Sequence, residues 1–322
     1  MAGLCDSFQR GINYLRISIT DRCNLRCIYC MPPEGIPLVS HDDILSFEEI
    51  LLIVQAAVET GINKVRITGG EPLVRAGVTD LVSMIASVDG IKEISMTTNG
   101  TLLERYAEGL VEAGLERINV SLDTLKEERF TKITRTGELA GVLKGIEAAK
   151  KAGLNPVKIN MVPMQGFNED EIVDFARMTM LAGWHVRFIE MMPLNRSASF
   201  VPSKILRSQI ATIGVLKPFY GIAGNGAAQY FQLPGAAGTI GFISPVSEPF
   251  CSECNRLRLT ATGQLYPCLF SDNGLDIRTP LRSHASLETV KDLIRQAIAA
   301  KPQDHRFDEE EPEQTKMSRM GG

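Results

Sequence analysis

The chain has few aromatic residues, no long apolar run and no excess of basic charge. Its 322 residues include one tryptophan, and aromatic residues make up 6%. No stretch approaches the roughly 20 apolar residues that a membrane-spanning helix needs, and the segment from Met1 to Arg10 lacks the apolar core of a signal peptide. A net charge of −4 does not favour binding to nucleic acid or to an anionic membrane surface. We therefore expect a cytoplasmic protein without a nucleic-acid or membrane partner.

Histidine is scarce, whereas cysteine is comparatively abundant: the chain has four histidines and seven cysteines. Because cytosolic proteins rarely contain disulfides, metal binding or redox chemistry is the better prediction for these thiols. Six of them form two triplets, which are Cys23, Cys27 and Cys30 near the N-terminus and Cys251, Cys254 and Cys268 near the C-terminus. Cys5 lies outside both triplets and is predicted to be a spare thiol.

Each triplet supplies one ligand fewer than the common closed sites need. A structural zinc site uses four protein ligands, a cubane iron–sulfur cluster normally uses four thiolates, and no histidine lies near either triplet. Three thiolates would leave one iron open to a small molecule. The triplets therefore favour two clusters with one open iron each, and two zinc sites, or one site with stray thiols, are the alternative. The first triplet is the more specific signal, because it directly follows a predicted strand, where barrels build active sites.

Short segments rich in Ile and Val alternate with helical patterns over the first two-thirds of the chain. The predicted strands are Leu15–Thr20, Lys64–Thr68, Glu93–Thr98, Arg117–Leu122, Pro156–Met161 and Val186–Met191. Capping boxes are predicted for Ser46 with Glu49, Thr101 with Glu104 and Asn168 with Glu171, and the helices are expected to end at Gly61, Gly114 and Gly183. This alternation predicts an α/β fold with a parallel sheet, either an incomplete (β/α)6 TIM-like barrel or a doubly wound open sheet.

The composition changes after about Leu216, which predicts two domains, 1–215 and 216–322. The first would be the partial barrel with the N-terminal triplet, and the second an extension that holds the other triplet. Gly221–Gly241 is expected to be irregular or extended. Leu257–Ala261 and Gln264–Leu269 predict a hairpin, and Leu287–Ala300 predicts an amphipathic helix. The polar tail from Pro302 is expected to be partly mobile.

Charged residues lie inside three of the predicted strands. Arg16, Arg66 and Lys158 are unusual there, because a parallel strand covered on both faces should be almost wholly apolar. We interpret them as side chains that point into a polar barrel interior. Arg256 and Arg258 are two residues apart, so an extended segment would present both on one face, beside the second triplet.

Several motifs together resemble the radical SAM superfamily, whose enzymes use S-adenosylmethionine (SAM). The hallmark C-x-x-x-C-x-x-C is the first cysteine triplet, with the aromatic Tyr29 before its last cysteine, and Gly69-Gly70-Glu71-Pro72 follows the second strand. The chain is similar over nearly its whole length to the superfamily's GTP-cyclising branch. Further matching segments are Ser18–Cys23, Arg66–Thr68, Thr97–Gly100, Asn119–Asp123, Arg187–Pro193, Cys251–Arg258, Cys268 and the terminal Gly321-Gly322.

The resemblance implies two [4Fe–4S] clusters and SAM as cofactors. SAM bound to the first cluster would yield a 5′-deoxyadenosyl radical that abstracts hydrogen from the ribose of GTP, at the start of molybdenum cofactor biosynthesis. The open iron of the second cluster would bind the guanine ring. By motif position, the SAM contacts would be Tyr29, Gly70, Ser121 and Met192. The GTP contacts would be Arg16, Arg66, Thr97, Lys158, Arg256 and Arg258, and Gly321 and Gly322 would enter the active site and help to activate the enzyme.

The resemblance also implies partners. They are an external electron donor, the next enzyme of the pathway (cyclic pyranopterin monophosphate synthase) and a second copy of the chain in a homodimer. Two other functions stay open from the sequence. One is a different two-cluster radical SAM enzyme that modifies a peptide, and the other is a zinc-stabilised binding or regulatory protein.

Overall fold

The computed structural model of the chain describes residues 4–192, 200–222, 226–271 and 274–305. Its strands form a single mixed sheet. They are β1 (Tyr14–Ser18), β2 (Lys64–Thr68), β3 (Glu93–Thr98), β4 (Arg117–Ser121), β5 (Val157–Met161), β6 (His185–Ile189), β7 (Lys217–Pro218), β8 (Gln229–Gln232), β9 (Ile240–Ile243), β10 (Arg256–Leu259), β11 (Gln264–Tyr266) and β12 (Leu275–Asp276). All six strands predicted from the sequence are present, with ends that differ by at most two residues.

The helices are α1 (Phe47–Glu59), α2 (Val78–Ala86), α3 (Leu103–Glu112), α4 (Glu127–Thr134), α5 (Leu139–Ala152), α6 (Ile172–Leu181), α7 (Ser203–Ile210), α8 (Arg278–Arg282) and α9 (Leu287–Ala299). The predicted C-terminal amphipathic helix is thus confirmed as α9. Within the part of the chain that the structure describes, every helix is too short or too polar to span a bilayer.

Strand order follows chain order in the centre of the sheet. β1 to β6 are neighbours in sequence order and pair in parallel, with β10 parallel to β1 and β9 parallel to β6 at the two flanks. A doubly wound sheet reverses its strand order, so that alternative is wrong. The fold is an incomplete TIM-like barrel, as predicted. The predicted hairpin is also confirmed, because β10 and β11 pair in antiparallel register.

Strands from the C-terminal third extend the sheet at both flanks. β9, β8 and β7 follow β6 at one side, and β10, β11 and β12 follow β1 at the other. The segment Gly221–Gly241, which is expected from the sequence to be irregular or extended, includes strand β8 and the first residues of β9. Chain segments on either side of residue 216 share one sheet, and the division into domains at that residue stays a prediction.

Each central strand presents two chemically different faces. Apolar residues such as Ile17, Val65 and Phe188 are fully buried in the main hydrophobic core. The alternate positions are polar or charged, as at Arg16 and Arg66, which are directly paired in register. Because side chains alternate across a strand, the apolar set packs towards the helices and the polar set points to the opposite face. The interpretation of charged strand residues as interior-facing is consistent with this pattern.

Of the three predicted capping boxes, only the first forms. The Ser46 hydroxyl accepts from the Glu49 amide at 3.1 Å, and the Glu49 carboxylate accepts from the Ser46 amide at 2.7 Å. The prediction for Thr101 is wrong, because α3 begins after Leu102, which makes no side-chain cap. The prediction for Asn168 is wrong because its side chain accepts from the Met164 amide and donates to the carbonyl oxygens of Val162 and Asp123, and a short 3₁₀ turn precedes α6.

Replacing Ser46 with alanine removes an N-cap acceptor, and we expect the free energy of unfolding to fall by about 1 kcal/mol. A urea titration followed by far-UV circular dichroism measures this loss. Ser87→Ala is a matched control, because its exposed hydroxyl only donates to the Met84 carbonyl oxygen. Equal losses in the two variants would show that the cap contributes nothing specific.

Candidate active site

One cavity of about 520 Å³ lies at the polar interior of the sheet and is lined by both cysteine triplets. The predicted site residues in its wall are Cys23, Cys27, Cys30, Cys251, Cys254, Cys268, Tyr29, Gly70, Ser121, Met192, Arg16, Thr97, Arg256 and Arg258. Arg66 and Lys158 do not line this cavity, although both lie on the same polar strand face. Gly321 and Gly322 lie outside the described residues, so their predicted role stays a prediction.

The first triplet lies in a loop that begins after β1. This loop is fastened to the glycine-rich segment after β2: the Gly70 amide donates to the Thr20 carbonyl at 2.7 Å, and the Glu71 amide donates to the Arg22 carbonyl at 2.8 Å. A Cβ on Gly70 would overlap the Arg22 carbonyl oxygen. Glycine is therefore required at this position for close approach of the two backbones.

Buried polar groups attach the same loop to the ends of β3 and β4. The Glu71 carboxylate accepts from the Thr98 hydroxyl at 2.6 Å and from the Asn99 amide at 2.7 Å. The Asn99 side chain donates to the Cys23 sulfur at 3.9 Å. The Tyr29 hydroxyl donates to Asp123 at 2.5 Å. These bonds place the cysteine loop over the carboxyl ends of the parallel strands, as expected for a barrel active site.

The thiols of the first triplet lie in a shielded environment. Burial, together with repulsion from the charge of Cys30, raises the pKa of Cys27 well above its ordinary value. Burial, with the charges of Cys23 and Asp123, raises the pKa of Cys30 to about 12. Because the charges of these thiolates raise the pKa values of their neighbours in the triplet, the sulfurs lie near one another. A positively charged metal centre would favour the thiolate forms of these cysteines.

The second triplet is positioned by segments that are distant in sequence. Cys251 begins a short 3₁₀ turn before β10, and Cys268 follows β11. Burial alone would raise the pKa of Cys254, but the positive charges of Arg256 and Lys301 lower it to about 6. The anionic form of this thiol is therefore favoured, in contrast to Cys27 and Cys30, whose pKa values are raised. Among the described side chains, no three His, Cys, Asp or Glu residues are grouped so as to hold a single metal ion.

The interior strand face carries a concentration of positive charge. Burial and the neighbouring cations Arg258 and Arg66 lower the pKa of Arg16 well below its ordinary value. Burial and Arg187, Arg117 and Arg66 lower the pKa of Lys158 to about 6. Mutual repulsion among buried cations is unfavourable, and a polyanionic ligand would relieve it.

Two of these cations, Arg66 and Lys158, do not line the cavity. The Arg66 guanidinium donates to the Ser95 hydroxyl at 3.1 Å and lies 5.4 Å from the centroid of the Tyr14 ring. The Lys158 ammonium lies 5.4 Å from the centroid of the Tyr230 ring. Both side chains therefore have contacts within the protein in this structure.

Sequence reasoning missed several charged residues around the site. Arg117 and Arg187 also lie within strands, so the criterion applied to Arg16 would have found them. Arg187 is held by Asn160 at 2.8 Å and Asn119 at 2.6 Å. Lys301 carries no comparable signal, because it follows the last helix in an otherwise polar segment. Cys5 is exposed and lies outside the cavity.

Comparison with known proteins identifies two family models. The Radical SAM superfamily model matches residues 17–179, and the Molybdenum Cofactor Synthesis C model matches residues 184–307. A structural match is the crystal structure of Streptococcus suis SuiB, with a TM-score of 0.59 and 15% identity over 82% of this chain and 63% of that chain. SuiB has also been solved bound to S-adenosylmethionine, with the same scores. At this identity the structural match supports the fold alone.

Curated relatives match almost the entire chain. GTP 3′,8-cyclase from Moorella thermoacetica is 50% identical over 98% of this chain and 99% of that protein. GTP 3′,8-cyclase from Pelotomaculum thermopropionicum is 50% identical, with the same coverage. Identity of this extent, together with both family models, shows that the chain belongs to the GTP 3′,8-cyclase family of the radical SAM superfamily.

Proposed function

We propose that this chain converts GTP to (8S)-3′,8-cyclo-7,8-dihydroguanosine 5′-triphosphate in molybdenum cofactor biosynthesis. The observation that carries the proposal is one cavity lined by two cysteine triplets and by Arg16, Arg256 and Arg258. The superfamily implies a [4Fe–4S] cluster and SAM as cofactors. The second cluster is part of the proposal.

The donor set of the first triplet fits a cluster with an open iron. Its three sulfurs lie near one another in a shielded loop, and Tyr29, Gly70, Ser121 and Met192 line the adjacent cavity wall. When bound, the cluster would supply the electron that cleaves SAM, after reduction by an external donor. The chain's own residues would hold the amino-acid end of SAM close to the Gly70 backbone.

The cationic wall is suited to the triphosphate of GTP. Arginine donates paired hydrogen bonds to phosphate oxygens and keeps its charge when buried. Arg16 and Arg258 are adjacent in register on β1 and β10, so their side chains lie on one face. Thr97 adds a hydroxyl to the same cavity. The second triplet lies beside Arg256 and lines the same cavity as Arg16, so guanine bound at its open iron and phosphates bound at Arg16 would share one cavity.

Anaerobic turnover tests the proposal directly. Reconstituted protein incubated with SAM, a reductant and GTP is expected to give 5′-deoxyadenosine and the cyclised nucleotide.

We expect Cys268→Ser to retain SAM cleavage and to lose the cyclised product, because this thiolate would hold only the second cluster. Production of wild-type amounts of cyclised product by this variant would contradict the assigned role. A colourless protein that contains zinc after anaerobic purification would instead support the zinc-stabilised alternative.

Replacing Gly70 with alanine introduces a side-chain atom where the Arg22 carbonyl oxygen lies. Overpacking costs about 1–3 kcal/mol, so we expect the affinity for SAM to fall by roughly 5- to 150-fold. Equilibrium dialysis with the reconstituted protein measures it. Gly11→Ala is the control, because nothing lies within 4 Å of a Cβ at that position. Unchanged affinity in Gly70→Ala would show that this backbone contact does not shape the SAM site.

Replacing Arg16 with methionine removes a guanidinium from the cavity wall. Hydrogen bonds to charged groups contribute about 1.5–3 kcal/mol, so the Kd for GTP should rise by about 10- to 100-fold. The Kd for guanosine, which has no phosphates, should change little, and a competition assay measures both. Arg177→Met is the control, because Arg177 is exposed and pairs with Asp174. Equal losses for GTP and guanosine would mean that Arg16 does not bind the triphosphate.

A further inference from the structure

Lys301 is a buried lysine that no motif of the sequence identifies. It follows helix α9, and only 3% of its surface is exposed. Its ammonium donates to the Pro267 carbonyl oxygen at 2.7 Å and to the Arg256 carbonyl oxygen at 2.9 Å. A buried ammonium is costly to desolvate, so these bonds are needed to hold it in place.

The two carbonyl groups flank two of the three cysteines of the second triplet. Arg256 is two residues after Cys254, and Pro267 directly precedes Cys268. These positions lie at the start of β10 and just after β11, which are antiparallel neighbours. One ammonium therefore joins the backbone segments that carry both cysteines, and it lies close enough to Cys254 to interact with its sulfur.

A second contact set attaches the same C-terminal segment to Cys251. Arg10 donates to the Cys251 carbonyl at 2.7 Å, to the Pro302 carbonyl at 2.6 Å and to the Gln303 carbonyl at 3.0 Å. Asp6 holds the Arg10 guanidinium at 2.5 Å. The segment that starts at Lys301 is thus fixed against the turn that contains the remaining cysteine, which restricts where the ammonium can lie.

We propose that Lys301 is a positioning residue for the second cluster, which fixes the separation of Cys254 and Cys268 and places an ammonium group beside their sulfurs. The inference rests on the second cluster of the proposed function. Hydrogen bonds and positive charge near cluster sulfurs stabilise the reduced, more negative form, because reduction adds an electron. Lys301 therefore raises the reduction potential of this cluster and slows the loss of the cluster from the protein.

The test uses the full chain with Cys23, Cys27 and Cys30 replaced by alanine, so that only the second cluster gives a signal. In this background, Lys301→Met removes the charge and the donors, whereas Lys301→Gln removes the charge and keeps a donor for the carbonyl oxygens. Far-UV circular dichroism shows whether each variant folds. If Lys301→Met does not fold, the comparison uses Lys301→Gln alone. Lys291→Met on the preceding helix α9 is the control, because that ammonium pairs with Glu59 at 2.8 Å.

Two readouts are independent of turnover. A redox titration followed by electron paramagnetic resonance should show a potential that is more negative in both Lys301 variants, with no shift in Lys291→Met. Iron release to a chelator should be about tenfold faster in the Lys301 variants, which is the size of effect typical of groups that support metal ligands. Lys301→Arg keeps the charge and should restore most of the potential.

The outcomes separate the inference from the proposed function. If the background chain binds no cluster, the two-cluster function fails and the inference is overturned with it. If the background chain binds a cluster whose potential is the same in folded Lys301→Gln, only the inference is overturned. A more negative potential that Lys301→Arg restores supports it.

Discussion

Repulsion among buried cations is the constraint around which the interior of this protein is organised. A parallel sheet covered by helices usually consists of apolar strands, yet here most alternate positions of the central strands are polar or charged. Burial and the nearby cations Arg258 and Arg66 lower the pKa of Arg16, and burial and Arg256 lower the pKa of Arg258 to about 10. The opposite strand face is mostly apolar and packs in the hydrophobic core.

The polar face is supported by groups that carry no net charge or a single negative charge. Asn119 and Asn160 accept from Arg187, and Glu93 is the acidic partner of Arg117 and Lys64. Amides orient the Arg187 guanidinium without neutralising its charge.

The strands and the cluster ligands were the most predictable parts from the sequence, for physical reasons. Short segments rich in Ile and Val predicted all six central strands, and the spacing of Cys23, Cys27 and Cys30 predicted a shared loop. The capping boxes at Thr101 and Asn168 failed because the motif Ser/Thr/Asn-x-x-Glu is short. The Thr101 hydroxyl bonds the Asn24 and Asn99 side chains instead, and the Asn168 side chain bonds backbone groups. The flanking strands β9 and β10 were not assigned as parallel partners of β6 and β1, because parallel pairing across a long separation leaves no local pattern.

The same reasoning explains why the surroundings of the second triplet could not be predicted. The first triplet is local: its cysteines lie in one loop, and the glycine-rich segment that supports it belongs to the next strand. Contacts around the second triplet join residues about 240 to 290 positions apart, such as Arg10 with Cys251 and with Gln303. Neither hydrophobic periodicity nor motif spacing in the sequence predicts such a contact. The two sites therefore differ in how they are built. The first is held by the segments after β2, β3 and β4, whereas the second needs segments far apart in sequence, because its three cysteines are held by a segment before β1 and a segment after α9.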